Sequence, residues 1–363
     1  MHQEGQSRPG QVFTKARIIL KAEHLAAVTL VAAALLCFIS LGHSSGRSAG
    51  SPVSAQDGQA TSVSRAAIEK FWTVYHGNDY AAIPDVQKEL ETAIQSDPNN
   101  ATLYALLGAT HFWQVGEASR DPNALADRNI LAQDMPTAAA LFQKALDLDY
   151  YTQHPIGYIN DDHLPGYLGI TTVHTGQEFG DAALIAQGDG ILDFAAYQFP
   201  EFNNFNRWAA HLDDAKDTAT YKKALDSLWQ GLDACAGAKV DRSNPDLKTY
   251  LSLATSVGRK KACWWEGDIA PYSFEGYMLN LGNGLVKAGQ VDAARVMYAN
   301  AKYASNYATW PYRDALESIA ASDLNARAAL YAPGANLKNA PSLNVPNRSC
   351  VYCHATVPEP RSH

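Results

Sequence analysis

Residues 275–308 read EGYMLNLGNGLVKAGQVDAARVMYANAKYASNYA, and the architecture follows from them. Met278, Leu281, Gly282 and Leu285 recur at helical spacing before Gly289-Gln290, and Ala294, Tyr298 and Ala301 recur after it. Such a period predicts two amphipathic helices, and the Gly-Gln pair between them predicts the turn. Each position has a packing duty. Gly282 lets the two helices approach closely, Ala294 and Ala301 fit the crowded crossing, and Leu281 and Tyr298 fill the groove. No run of the chain alternates with period two for long enough to propose a sheet, so the expected class is all-α.

The same unit returns upstream. Tyr104-x2-Leu107-Gly108 opens a second copy and Ala138-x3-Phe142-x2-Ala145 closes it, with an insert of about 18 residues from Glu117 to Asp134 between the two halves. A third copy spans 64–98. Its first helix begins near Ser64, carries Ala66, Ala67, Phe71, Trp72 and Tyr75 as a stripe, and stops at His76-Gly77-Asn78-Asp79. Its second runs from about Ile83 to Ser96, with Val86, Leu90 and Ala93 on one side and Pro98 beyond. These spacings resemble the tetratricopeptide repeat, a helix–turn–helix unit of about 34 residues. The resemblance covers roughly half of the chain, with Tyr104 or Met278 where the family usually has tryptophan and with inserts that break its period. It implies an irregular stack of helix pairs that presents a concave face to a peptide or protein partner.

A weaker copy begins at Leu168-Gly169, where Gly176, Gly180, Gly188 and Gly190 interrupt the apolar pattern. Further helices are expected at about 205–216, 219–236 and 245–256, with Trp208, Leu212, Leu225, Trp229 and Leu232 as core, and a last one at 312–330 to cap the array.

Near the C-terminus stands Cys350-Val351-Tyr352-Cys353-His354, the pattern by which c-type haem is attached to a polypeptide. Each cysteine sulfur would form a thioether to one haem vinyl group. His354 would supply the axial nitrogen to iron. The motif therefore predicts one covalent haem c, with Cys350 and Cys353 as attachment points and His354 as the metal ligand. A thioredoxin-like CxxC would need a βαβ setting, a zinc site would need a fourth ligand, and a plain disulfide beside a histidine is the remaining rival. The preceding APGANLKNAPSLNVPN, from Ala332, reads as an extended strap. Nine residues after His354 are too few for the helices and methionine ligand of a class I cytochrome c domain. The haem would either lie against the helical body or face a partner. The sixth ligand stays open among Met135, Met278, Met297, His154, His163, His174 and His363, with five-coordinate iron as a further option.

The N-terminus bears on this chemistry, because such haem is attached outside the bacterial cytoplasm. Residues 1–24 are polar, with Arg8, Lys15, Arg17 and Lys21 against Glu4 and Glu23. From Leu25 to Leu41 the chain is apolar or small, long enough for about 25 Å of helix. The basic flank predicts a cytoplasmic N-terminus and a periplasmic body anchored in the inner membrane. The alternative is a cleaved signal, with Val53-Ser54-Ala55 as the cleavage candidate. Residues 43–62 are a small, polar linker, 63–331 the helical domain, and 332–363 the strap with the haem motif.

The net charge of −8 divides into +2 before residue 25 and −10 after it, which argues against nucleic acid as a partner. The five cysteines suit an oxidising compartment, and Cys235 and Cys263 read equally as a disulfide or as two buried thiols. Other motifs are weaker. Gly282-x-Gly284-x4-Gly289 lacks the preceding strand of a nucleotide site. Asp161, Asp162, His163 and Glu178 have no firm metal spacing, and Trp264-Trp265 could shield haem or form a partner surface. No Ser–His–Asp set can be assembled. The favoured function is electron transfer or redox-complex assembly with a protein partner. A haem-free interaction scaffold is the alternative, and a haem enzyme would need an open iron face.

Overall fold

The computed structural model describes residues 61–118, 128–148, 163–254, 270–333 and 351–356, all within the unit that runs from Asp57 to His363. These residues are all-α: helical hairpins stacked in sequence, with no strand among them. The helices are α1 (Ser62–His76), α2 (Ile83–Ser96), α3 (Ala101–Ala118), α4 (Arg128–Asp147), α5 (Leu164–Phe179), α6 (Ala182–Gln198), α7 (Pro200–His211) and α8 (Ala219–Ala236). Then follow α9 (Ser273–Ala288), α10 (Val291–Asn300), α11 (Arg313–Ala321), α12 (Leu324–Ala329) and the short α13 (Val351–His354). Each of α1 to α7 packs on the next along the chain, and α7 and α8 form the last hairpin of the run.

Local signals set the ends. Thr61 caps α1 by accepting from Ser64 N, Asp181 caps α6 through the amides of Ala183 and Leu184, and Thr218 caps α8 through Tyr221 N. Gly289 closes α9 at φ 81°, a conformation that costs glycine little. Close approach in the hairpin quoted first depends on Gly282, where a β-carbon would run into the ring of Tyr298. Gly108 plays the same part against Phe142.

The apolar residues gather into two cores. One is drawn from α1 to α6 with Ala210 of α7, around Phe71, Leu90, Leu106, Phe142 and Ile170. The other is drawn from α7 onward, around Trp208, Tyr221, Leu232, Leu281 and Tyr298. Its centre is α9, buried on all faces from Ser273 to Lys287, as a helix surrounded by protein must be. Polar side chains tie α9 to α7 and α8. Tyr221 Oη donates to Gly284 O at 2.8 Å, Lys287 Nζ donates to Leu212 O at 2.6 Å, and the Tyr277 hydroxyl donates to Leu228 O.

At the end of α7 the buried His211 sits between Asp189 Oδ1 (2.8 Å from Nε2) and Asp214 Oδ2 (3.0 Å from Nδ1). Burial works to lower its pKa, but hydrogen bonds to both carboxylates and their charges prevail and raise it to about 9.

Several expectations change. The glycine-interrupted region from Leu168 forms two full helices, α5 and α6. Gly176 and Gly188 lie where the helices touch, so that a β-carbon would meet Ile185 or Val173. There glycine buys contact rather than breaking the helix. The segment expected as a helix at 245–256 is a 3-10 turn, Leu247–Leu253, started by Asp246. The capping helix expected at 312–330 is two helices, because Asp323 captures the amides of Asn325 and Ala326 and begins α12 afresh. Helices α3 and α4 extend into the insert expected from Glu117 to Asp134, and residues 119–127 lie outside the described set.

Candidate functional site

The CxxCH segment is built into the body. Val351–His354 form α13, and α13 packs against α9 on one side and α1 on the other. Tyr352 and Ala355 belong to the second core, at 4% and 0% exposure. Tyr352 packs edge-on against Tyr312 with centroids 4.7 Å apart. Burying a tyrosine removes on the order of 150–200 Å² from water, about 4 kcal/mol as an upper figure, so this one ring offsets much of the entropy of docking a short segment.

The backbone is held as well. Tyr272 N donates to Cys353 O at 2.9 Å, and Trp310 Nε1 donates to Tyr352 O at 2.9 Å. On the other side Thr356 donates to His76 O from its amide (2.9 Å) and from its hydroxyl (3.1 Å). Gly276 makes the contact with α9 possible, since a β-carbon there would collide with Cys353 Sγ and crowd the backbone of Tyr352 and Cys353. Glycine at this point of α9 is a requirement of the site.

Cys353 and His354 are both half-buried, side by side on α13. The His354 ring lies 5.2 Å from that of Tyr75, which meets Trp113 edge-on at 5.0 Å. His76 follows, with its ring 6.2 Å from Tyr75 and 5.4 Å from Trp72. The buried Nε1 of Trp72 has no hydrogen-bond acceptor among the described residues. Cys350 lies outside them.

The other sequence candidates are dispersed. Met135, Met278 and Met297 are fully buried core residues. His163 opens α5 and is wedged against Phe199 and Phe202, with centroids at 5.1 and 3.9 Å. His174 is buried with Nδ1 2.8 Å from Gln177 Oε1. His154, Asp161, Asp162, Trp264, Trp265 and His363 lie outside the described residues, as does the apolar stretch from Leu25 to Leu41. Among the described residues no three His, Cys, Asp or Glu side chains gather as a metal site, and no helix is long and apolar enough to cross a membrane. Cys235 is disulfide-bonded, and Cys263 is outside the described residues.

Sequence reasoning missed Tyr75, His76 and Gly276 as parts of this site. Trp72 and Tyr75 read as a helix stripe and His76 as a stop signal; nothing local couples residue 76 to residue 354.

The residues present suit a covalently held haem. A cysteine and a histidine lie side by side on one short helix, the Tyr75 ring packs against the imidazole, and the buried indole N–H of Trp72, on the same helix as Tyr75, lacks an acceptor that a carboxylate could supply. Cys350 and Cys353 would hold the group and His354 would ligate its iron. Compared with protein-family models, curated proteins and solved structures, the chain shows no match.

Proposed function

We propose that this chain is an exported, membrane-tethered c-type haem protein that transfers electrons or assembles redox complexes in the bacterial periplasm. Its helical array, tetratricopeptide-like in its spacings, would dock the protein partner. The observation that carries the reading is the clasping of Val351–His354 between α1 and α9, with His354 against the Tyr75 ring of α1 and Cys353 against Gly276 of α9. A loosely appended tail would hold a redox group at no fixed distance from anything. A docked one holds it in register with the surface of the array.

Bound haem supplies the one-electron iron couple. The chain supplies the rest. Each thiol would add its S–H across a vinyl double bond, sulfur to one carbon and hydrogen to the other, so attachment would be redox-neutral. His354 would bind iron through one nitrogen, and the Tyr75 ring packed against it would limit water there. Burial of this kind raises the cost of the charged state and tunes potential.

A haem-free scaffold is the competing reading, favoured by the core role of Tyr352 and Ala355, which gives the segment a structural duty in its own right. A pyridine haemochrome spectrum decides between them. The full chain is expressed with a c-type maturation system, denatured and electrophoresed beside Cys350→Ala/Cys353→Ala. A c-type band that survives denaturation and vanishes in the double variant is expected. Exported protein without haem, alongside a matured control cytochrome, would leave the scaffold.

A further inference from the structure

We propose that the boundary between the two cores is a hinge held shut by charge, and that α13 is the second point at which the two halves meet, so that loosening one contact loosens the other. This goes beyond the haem reading and does not depend on it. The first half is α1 to α6, and the second begins at α7. One residue, Phe199, joins them, since α6 ends at Gln198 and α7 starts at Pro200. Ala195, Ala196 and Phe199 are buried at this corner yet belong to neither core. Ala210 is the one buried residue of α7 that joins the first core.

What α7 otherwise turns toward the first half is polar. Asn203, Arg207 and His211 recur every fourth residue, which sets them in one stripe of the helix, and all three are buried. Each meets α6. Asn203 Nδ2 donates to Ala195 O at 3.0 Å, Arg207 donates to Asp193 Oδ1, and His211 Nε2 lies 2.8 Å from Asp189 Oδ1. Asp189 and Asp193 are themselves four positions apart, so the two antiparallel helices meet through a ladder of two ion pairs. Toward α5 the contacts are polar too. Gln177 Nε2 donates to Ala210 O at 3.0 Å, and Gly166 leaves room for the amides of Asn203 and Asn206.

Hairpins inside each half are built otherwise. Helices α9 and α10 meet through Gly282 and Tyr298, and α3 and α4 through Gly108 and Phe142. A polar boundary inside one chain is where its parts move relative to each other. The charges around His211 come from Asp189 of α6 and from Asp214 in the turn after α7, and Asp214 is itself bonded by Thr220 of α8 and acted on by Lys287 of α9. Burial opposes the His211 cation, but the two carboxylates prevail, so this rung is an ion pair at neutral pH. The second bridge is α13. Tyr352 and Ala355 belong to the second core, whereas His354 and Thr356 touch Tyr75 and His76 of α1 in the first half. Two halves joined at two places cannot turn at one without disturbing the other, and such coupling is reciprocal.

Hydrogen exchange of the folded full chain, read by mass spectrometry at one fixed pH, tests the coupling. Asp189→Asn/Asp193→Asn removes both acidic partners and keeps their shape. Exchange should quicken about tenfold in α6, α7 and residues 351–356, since two partly exposed pairs each contribute modestly, while α3 and α10 keep wild-type protection. Circular dichroism establishes that the variant is folded. Where the double variant does not fold, Asp193→Asn alone, on the more exposed of the two carboxylates, is read in the same way. Quickening confined to α6 and α7 overturns the link to α13. Equal quickening in α3 and α10 means a general loss of stability and overturns the hinge. Unchanged exchange throughout removes the charges as what holds it shut. Each of these outcomes is the same with or without haem, whose attachment denaturing electrophoresis reports separately.

Discussion

Helix α13 packs against α9 and against α1, and the two sides are built differently. On the α9 side, where Tyr272, Trp310 and Tyr312 also meet it, the contact is close. Gly276 admits Cys353 without a β-carbon between them, Tyr352 is buried against Tyr312, and the carbonyls of Tyr352 and Cys353 accept from Trp310 and Tyr272. Against α1 the contact is polar and half open, made by Thr356 on one carbonyl and by the rings of Tyr75 and His354. The difference assigns the work. The α9 side fixes where the backbone sits, and the α1 side leaves Thr356 exposed and His354 half-buried. Sites are generally arranged so, with reactive groups held by a rigid support.

Gly276→Val breaks this comparison most severely. Its branched side chain would have to occupy the space of Cys353 Sγ, and the nearest alternatives are backbone atoms that cannot yield without moving α13. Overpacking of this kind costs about 3 kcal/mol. Thermal unfolding should register the loss, and the amides of 352–356 should lose protection from hydrogen exchange. Unchanged stability would mean that α13 does not depend on α9.

A smaller effect, of about 2 kcal/mol, is expected from pH through the support of α9. Lys287 anchors the end of α9 to the carbonyl of Leu212, next to His211. His211 has a folded pKa of about 9, above its unfolded value of 6.5. Its contribution is therefore complete below pH 6.5 and is lost as pH rises through 9. The melting temperature should fall across that window in wild type and much less in His211→Gln. An equal fall in the variant would remove His211 as the cause.

Much of this architecture was legible in the sequence, and the reason is local. Ile83–Ser96 and the hairpin around Gly289 are set by apolar period and by turn residues within a few positions. Legibility failed where tertiary contact reverses a local rule. Gly176 and Gly188 look like helix breakers until Ile185 and Val173 are seen against them. The motif Cys350–His354 could be read because its chemistry demands adjacent residues. Its surroundings could not. Gly276, Trp310 and His76 reach it through contacts separated by 42 to 280 positions, and no periodicity encodes such pairs.

The finest test of the asymmetry is Thr356→Val. The substitution keeps the shape of the side chain and removes its hydroxyl, while the backbone bond from Thr356 N to His76 O remains. His76 O is therefore not orphaned, and the position is exposed, so water can replace the lost donor. The cost should be about 0.5 kcal/mol, at the low end for a hydrogen bond. A loss as large as that of Gly276→Val, measured by the same thermal unfolding, would show that the α1 contact is as rigid as the α9 contact. A small loss, with exchange accelerating at Thr356 before Tyr352, would show that α13 opens from the α1 side first.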